Sequence, residues 1–171
     1  FGAMVGMHLA AGNLFIGSFD KNNALNDVMG STHFGFPFFY YPEKLEGWYK
    51  YKAGTQFSVG GEIVSDRQDH CDIYGVLYET DDNVSFLDGS NALTSPNIVM
   101  LARKAAGDSW APFTLNFELL QGKTIDPGKL LEGKYKLAIV FSSSVDGAKF
   151  EGAVGSTLYI DEVKLTSSEQ Q

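Results

Sequence analysis

Two carboxylates in strand-like runs are the first residues in this chain whose types could do chemistry. Asp72 lies in "CDIYGVLYE" with Tyr74 and Tyr78, and Glu118 lies in "PFTLNFELL" with Asn116. Side chains on a strand alternate between faces, so Asp72, Tyr74, Val76 and Tyr78 share one side, and Thr114, Asn116 and Glu118 share another. Facing carboxyls separated by about 5 to 9.5 Å can act as acid and base, or acid and nucleophile, on a glycosidic bond. A third run, "LEGWYKYK", puts Trp48 on the same side as Lys50 and Lys52. Lysine keeps its ammonium in water, so Trp48 is expected to face outward with them. An outward indole can stack on the C–H face of a sugar ring while Lys50, Asp72, Asn116 and Glu118 bond hydroxyls, or it can pack beneath a long loop. Both readings of Trp48 are open. Trp110, beside Ala111 and Pro112, is expected in the core.

The elements that must position these groups are short apolar runs separated by Gly, Asn, Asp, Pro and Ser, the spacing of an all-β sandwich or barrel. The clearest are "NLFIGSF", "GWYKYK", "CDIYGVLYE", "NIVMLARK", "PFTLNFELL", "YKLAIVFSS" and "STLYIDEVKL". No amphipathic helix of ordinary length stands out. Long connections, "DKNNALNDVMGSTHFG", "AGTQFSVGGEIVSDRQDH" and "TDDNVSFLDGSNALTSP", lie between the runs, and such loops are where recognition is often built. In "CDIYGVLYE" and "YKLAIVFSS" both faces are apolar. A sandwich has one core, so the second face needs a covering loop, a neighbouring domain or a ligand. In "STLYIDEVKL", strict alternation groups Asp161 with Tyr159, Val163 and Leu165, and so predicts a carboxylate on the buried side.

The chain has 171 residues and apolar material for one domain, expected over 1–171 with a polar tail at 166–171. A formal net charge of -8, with no clustered Lys or Arg, argues against nucleic-acid partners and anionic membrane surfaces. No segment reads as a membrane span. The lone Cys71 supplies no disulfide framework. His8, His33 and His70 lack metal-ligand spacing, and "GSTLY" lacks the strand-to-helix setting of a nucleophile elbow.

The ordered set "FGFPFFYYPEKLEGWYKYKAG", "DHCDIYGVLYE", "LDGSNALT", "DSWAPFTLNFE" and "GKYKLAIVFSSSVDGAKFEGAVGSTLYIDEVKL" resembles the family named the putative carbohydrate metabolism domain, PCMD, from about Leu9 to Leu165. The resemblance implies a jelly-roll β-sandwich similar to carbohydrate-binding modules. It also implies an exported setting at the cell surface or in the periplasm, in a lipid-anchored protein with a further N-terminal domain. It carries over no catalytic residues. In some carbohydrate-binding jelly rolls, an acid in a similar final strand ligates a structural calcium. This makes Asp161 a candidate ligand, with Asp20 as its partner; hydrogen bonding or an Arg partner would satisfy Asp161 equally. Three functions follow. One is carbohydrate binding through Trp48, Tyr74 and Tyr78, and another is glycoside hydrolysis by Asp72 and Glu118. The last is a structural module whose second apolar face docks a neighbour.

Overall fold

The computed structural model describes residues 7–169. Its strands are β1 (Asn13–Phe15), β2 (Gly17–Phe19), β3 (Thr32–Phe34), β4 (Phe36–Pro37), β5 (Tyr41–Lys52), β6 (Phe57–Val59), β7 (Glu62–Val64), β8 (Cys71–Glu79), β9 (Ile98–Ala106), β10 (Ser109–Asn116), β11 (Glu118–Leu119), β12 (Tyr135–Ser142), β13 (Gly152–Ala153) and β14 (Thr157–Ser168). One helical turn, α1 (Pro127–Leu131), is capped by the Asp126 carboxylate, which accepts from the N–H groups of Gly128 and Lys129. Each apolar run of the sequence falls in strand, although "NLFIGSF" is divided between β1 and β2 and "PFTLNFELL" between β10 and β11. Thr166, Ser167 and Ser168 of the expected polar tail pair with Lys44, Pro42 and Tyr41 as the end of β14.

Two antiparallel sheets form the layers. The larger runs β1-β12-β8-β9-β11, with β4 also on β12, and the smaller runs β10-β5-β14. Between them lies the main core, in which Cys71, Ile73, Leu77, Tyr135, Leu137, Ile139 and Phe141 of the large sheet meet Leu45, Tyr49, Tyr51 and Phe113 of the small one. The run from Ser109 to Leu119 serves both sheets. It pairs with β5 up to Asn116, and then Phe117 donates its N–H to Glu43 O and turns the chain onto β9. Gly75 makes room for that corner, since a Cβ there would sit 2.5 Å from Phe117 Cζ. Gly75→Ala is therefore expected to destabilise the fold by about 1–3 kcal/mol through overpacking, read as a lower urea midpoint with unchanged slope.

The apolar outer face of the large sheet is explained by its own loops. Phe34 from β3, with Leu87 and Ala92 from the segment after β8, closes a second core over Tyr74, Val76, Tyr78, Ala138 and Val140. The pin of this lid is the Tyr78 phenol, which donates to Phe34 O at 2.5 Å, and Lys136 Nζ adds a bond to Ser85 O at 2.6 Å. Burial pushes the Tyr78 phenol up from 10.0 to about 12 and the Cys71 thiol up from 9.0 to about 11. Between those limits the folded chain holds protons that the unfolded chain releases, so stability falls as pH rises across the window. The melting temperature is expected to decline steadily above about pH 9, in step with the reference thiol and phenol values. A flat profile would contradict it. Cys71 is expected to react with thiol reagents only as the protein unfolds.

Candidate functional site

The small sheet decides where Trp48 goes. Leu45, Gly47, Tyr49 and Tyr51 of β5 point into the core, which turns Trp48 and Lys50 outward as their spacing predicts. Residues directly opposed on antiparallel strands project to the same side. Trp48 is flanked by Pro112 and Asp161, and Lys50 by Trp110 and Tyr159. The result is an open aromatic face on which Trp48, Trp110 and Tyr159 are 42%, 77% and 63% exposed. Strands about 4.8 Å apart put the Trp110 and Tyr159 backbones roughly 10 Å apart, with Lys50 between them and Trp48 one pleat along. The Lys50 ammonium lies 5.5 Å from the Trp110 ring centroid, a cation–π contact that holds both side chains over the sheet. Further along the same face the surface becomes polar, with Lys44 and Glu46 paired at 3.3 Å beside Thr114 and Asn116.

Two members of this face depart from the sequence reading. Trp110 was expected inside, yet β10 puts Phe113 in the core with Ala111 and Leu115 packed against it, and Trp110 shares the outer parity of Thr114 and Asn116. That alternation was the available signal. Tyr159 was placed on a buried side with Asp161, but strict alternation fails in β14. Between Asp161 opposite Trp48 and Lys164 opposite Glu46, β14 uses one residue more than β5, and Glu162 takes a left-handed φ of 51°. This bulge switches faces. Before it, Leu158 and Ile160 pack on the core and Tyr159 and Asp161 face out; after it, Leu165 packs on the core. Asp161 is therefore exposed, and it accepts a bond from Glu162 N at 2.8 Å.

The acids and tyrosines of the large sheet do not join Trp48. Asp72, Tyr74 and Tyr78 lie on the opposite layer and are 2%, 6% and 0% exposed, against the expectation of a wet face. Asp72 is gripped by Arg103, its diagonal neighbour on the adjacent strand β9, with Nε to Oδ1 at 3.0 Å and Nη2 to Oδ2 at 2.8 Å. Burial pushes the Asp72 carboxyl above the usual carboxylate range, and the Arg103 guanidinium offsets part of that. Glu118 pairs with Leu101 of β9, which pairs in turn with Val76, so Glu118 stands two strands across and four residues along from Asp72. That offset is about 16 Å by strand geometry, beyond the reach of a glycosidase pair. Asp72 and Glu118 cannot act together on one bond.

The calcium expectation also meets a mismatch. Asp20 lies beyond β2, on the loop side of the large sheet, where its Oδ1 accepts from the N–H groups of Asn22 and Asn23. Asp161 is on the outer surface of the small sheet, across the sandwich. Among the described residues no group of three or more His, Cys, Asp or Glu is arranged to hold a metal ion. Calcium needs six or more oxygens, so these two acids do not fit a shared calcium site.

A family model described as "Putative carbohydrate metabolism domain" matches residues 1–166. Among solved structures, a putative glycoside hydrolase from Bacteroides thetaiotaomicron VPI-5482 is 53% identical with a TM-score of 0.93, over 99% of this chain and 50% of that one. A putative glycoside hydrolase from Bacteroides vulgatus ATCC 8482 is 45% identical with a TM-score of 0.86, over 98% of this chain and 68% of that one. The chain thus spans half the length of the first of these proteins. No curated protein matches it.

Proposed function

The chain belongs to the putative carbohydrate metabolism domain family, and from that premise we propose that this domain is a noncatalytic saccharide-binding module acting through the outer face of its small sheet. The observation that carries the reading is the exposure of two tryptophans and a tyrosine around one lysine on a single sheet face. Large aromatic rings left in water lose the burial that ordinarily repays their apolar area. A pyranose offers an apolar C–H face to such rings and a rim of hydroxyls to Lys50, Asp161 and the polar strip at Glu46 and Asn116. Trp110 and Tyr159, separated by two strand spacings, suit successive rings of an extended glycan laid across the strands. An open face, unlike a deep pocket, favours polysaccharide over a free monosaccharide. An exported, surface or periplasmic setting and a further domain of the same protein belong to this proposal.

The test is affinity electrophoresis of the domain against a panel of soluble plant, microbial and host polysaccharides, with tryptophan fluorescence followed in parallel. Retention by at least one glycan, accompanied by a shift in indole emission, is the expected result. Unretarded migration through the whole panel would remove the proposal. Glycoside hydrolysis is a second reading, favoured by the descriptions of the two Bacteroides structures. It predicts release of reducing ends from the same panel, whereas the binding reading predicts retention with none.

A further inference from the structure

On the other side of the molecule, beside the loop-covered core of the large sheet, lies a cleft of about 720 Å³. Its floor is the β8–β9 pair where Asp72, Tyr74 and Arg103 come together, and Phe150 stands in its wall. Phe150 takes a left-handed φ of 58°, a costly conformation for a residue with a Cβ, and it ends the 3-10 turn Gly147–Lys149. The carboxylates here are already used. Both oxygens of Asp72 accept from Arg103, and Asp146 is held by Arg67 at 2.7 Å and Lys149 at 2.9 Å.

Two donors remain. Arg103 spends Nε and Nη2 on Asp72, leaving Nη1 with no partner among the described residues, and its side chain is 36% exposed while that of Asp72 is 3% exposed. The ion pair therefore presents its positive end to the cleft and keeps its negative end behind. The second donor is the phenol of Tyr74, the residue directly opposite Arg103. Tyr74 is 6% exposed and lines the cleft, yet its hydroxyl has no hydrogen-bond partner among the described residues. Among the described residues every fully buried side-chain polar atom has a partner, so the unpaired Tyr74 oxygen is one that opens into the cleft, beside the free guanidinium edge. The complement of these donors is a planar anion with several acceptor oxygens, which a guanidinium edge binds well. An aromatic wall beside it suits the C–H face of a pyranose.

We propose that this cleft is a second binding site, separate from the aromatic face, which takes a sugar residue bearing a carboxylate, a uronic acid, with its carboxylate on Arg103 Nη1 and the Tyr74 hydroxyl. The net charge of -8 does not oppose this at contact range, since exposed charges beyond about 8 Å are screened at physiological salt. The proposal rests on the saccharide reading of the domain only for its ligand class. It stands on a different face and fails separately.

The experiment is titration of the intact domain with glucuronate and galacturonate, against glucose, galactose and acetate, followed by NMR shift mapping or calorimetry. Both or either uronate is expected to bind at least tenfold more tightly than its neutral counterpart and than acetate, with shifts centred on Arg103 and Tyr74. Tyr74→Phe keeps the ring and removes the free hydroxyl; it is expected to weaken uronate binding several-fold without changing the melting temperature. Arg103→Gln should abolish it, and the Tyr74 variant keeps the proposal testable if loss of the Asp72 partner harms folding. Equal binding of neutral sugars or of acetate, or no uronate binding, would overturn the proposal. Substituting Trp48 and Trp110 must leave uronate binding intact, which separates failure of this site from failure of the aromatic face.

Discussion

Replacing Trp110 by alanine is expected to reduce glycan retention about tenfold, and replacing Trp48 and Trp110 together to remove it from the measurable range. Each indole offers its ring to solvent, so truncation deletes a stacking surface without opening a cavity in the core. A stacked indole that hides about 50–60 Å² of apolar area contributes roughly 1.4 kcal/mol, a factor of ten in affinity. Trp110 is the more exposed of the two and also holds the Lys50 ammonium, so its loss frees that lysine as well. Stability is the control. Substitutions at exposed positions away from special features usually shift stability by less than about 0.5 kcal/mol, so both variants should melt close to the parent. Retention that survives the double substitution would show that the aromatic face is not where the glycan sits.

The second large effect concerns Asp69, which precedes β8 and is completely buried. Its Oδ2 accepts from Ser144 Oγ at 2.5 Å, Ala153 N at 2.8 Å and Ser156 Oγ at 2.7 Å, and its Oδ1 accepts from His70 N at 2.9 Å. One carboxylate thereby ties the entrance of β8 to the loop after β12, to β13 and to the turn that launches β14. Asp69→Ala would take the acceptor from all of these donors, of which the Ser144 hydroxyl and the Ala153 N–H are buried. Each unsatisfied group costs about 1–3 kcal/mol, so a total of several kcal/mol is expected. That is a large part of the stability of an ordinary domain, about 5–15 kcal/mol. Urea unfolding should show a markedly lower midpoint, with Asp69→Asn intermediate because an amide oxygen can still accept. A midpoint within error of the parent would show that the cluster is not the clasp described here. Glycan retention measured on Asp69→Asn well below its transition should be unchanged, since Asp69 touches neither face.

The division between what was readable in advance and what was not follows from the physics of strands. Element type is local. Runs such as "CDIYGVLYE" and "YKLAIVFSS" carry β-branched and aromatic residues bounded by turn formers, and they are strands β8 and β12. The outward placement of Trp48 with Lys50 is local too, because a lysine must reach water wherever the strand ends up. Even the second apolar face of the large sheet was visible as a question, although its answer, a lid of the chain's own loops pinned by Tyr78, depended on segments far apart in sequence.

The amino-acid order by itself determined the all-β sandwich, the family, and one outward tryptophan beside a lysine. Tertiary structure decided which groups share a face, because face assignment along a strand holds only while the register is unbroken, and which strands become neighbours is set by the whole core. One extra residue at Glu162 moved Tyr159 and Asp161 to the surface. The pairing of β8 with β9 gave Asp72 an arginine and took it from water, and the two-sheet architecture set it on the far side from Trp48. Such pairings are long-range choices made by packing, and no spacing within a single strand encodes them.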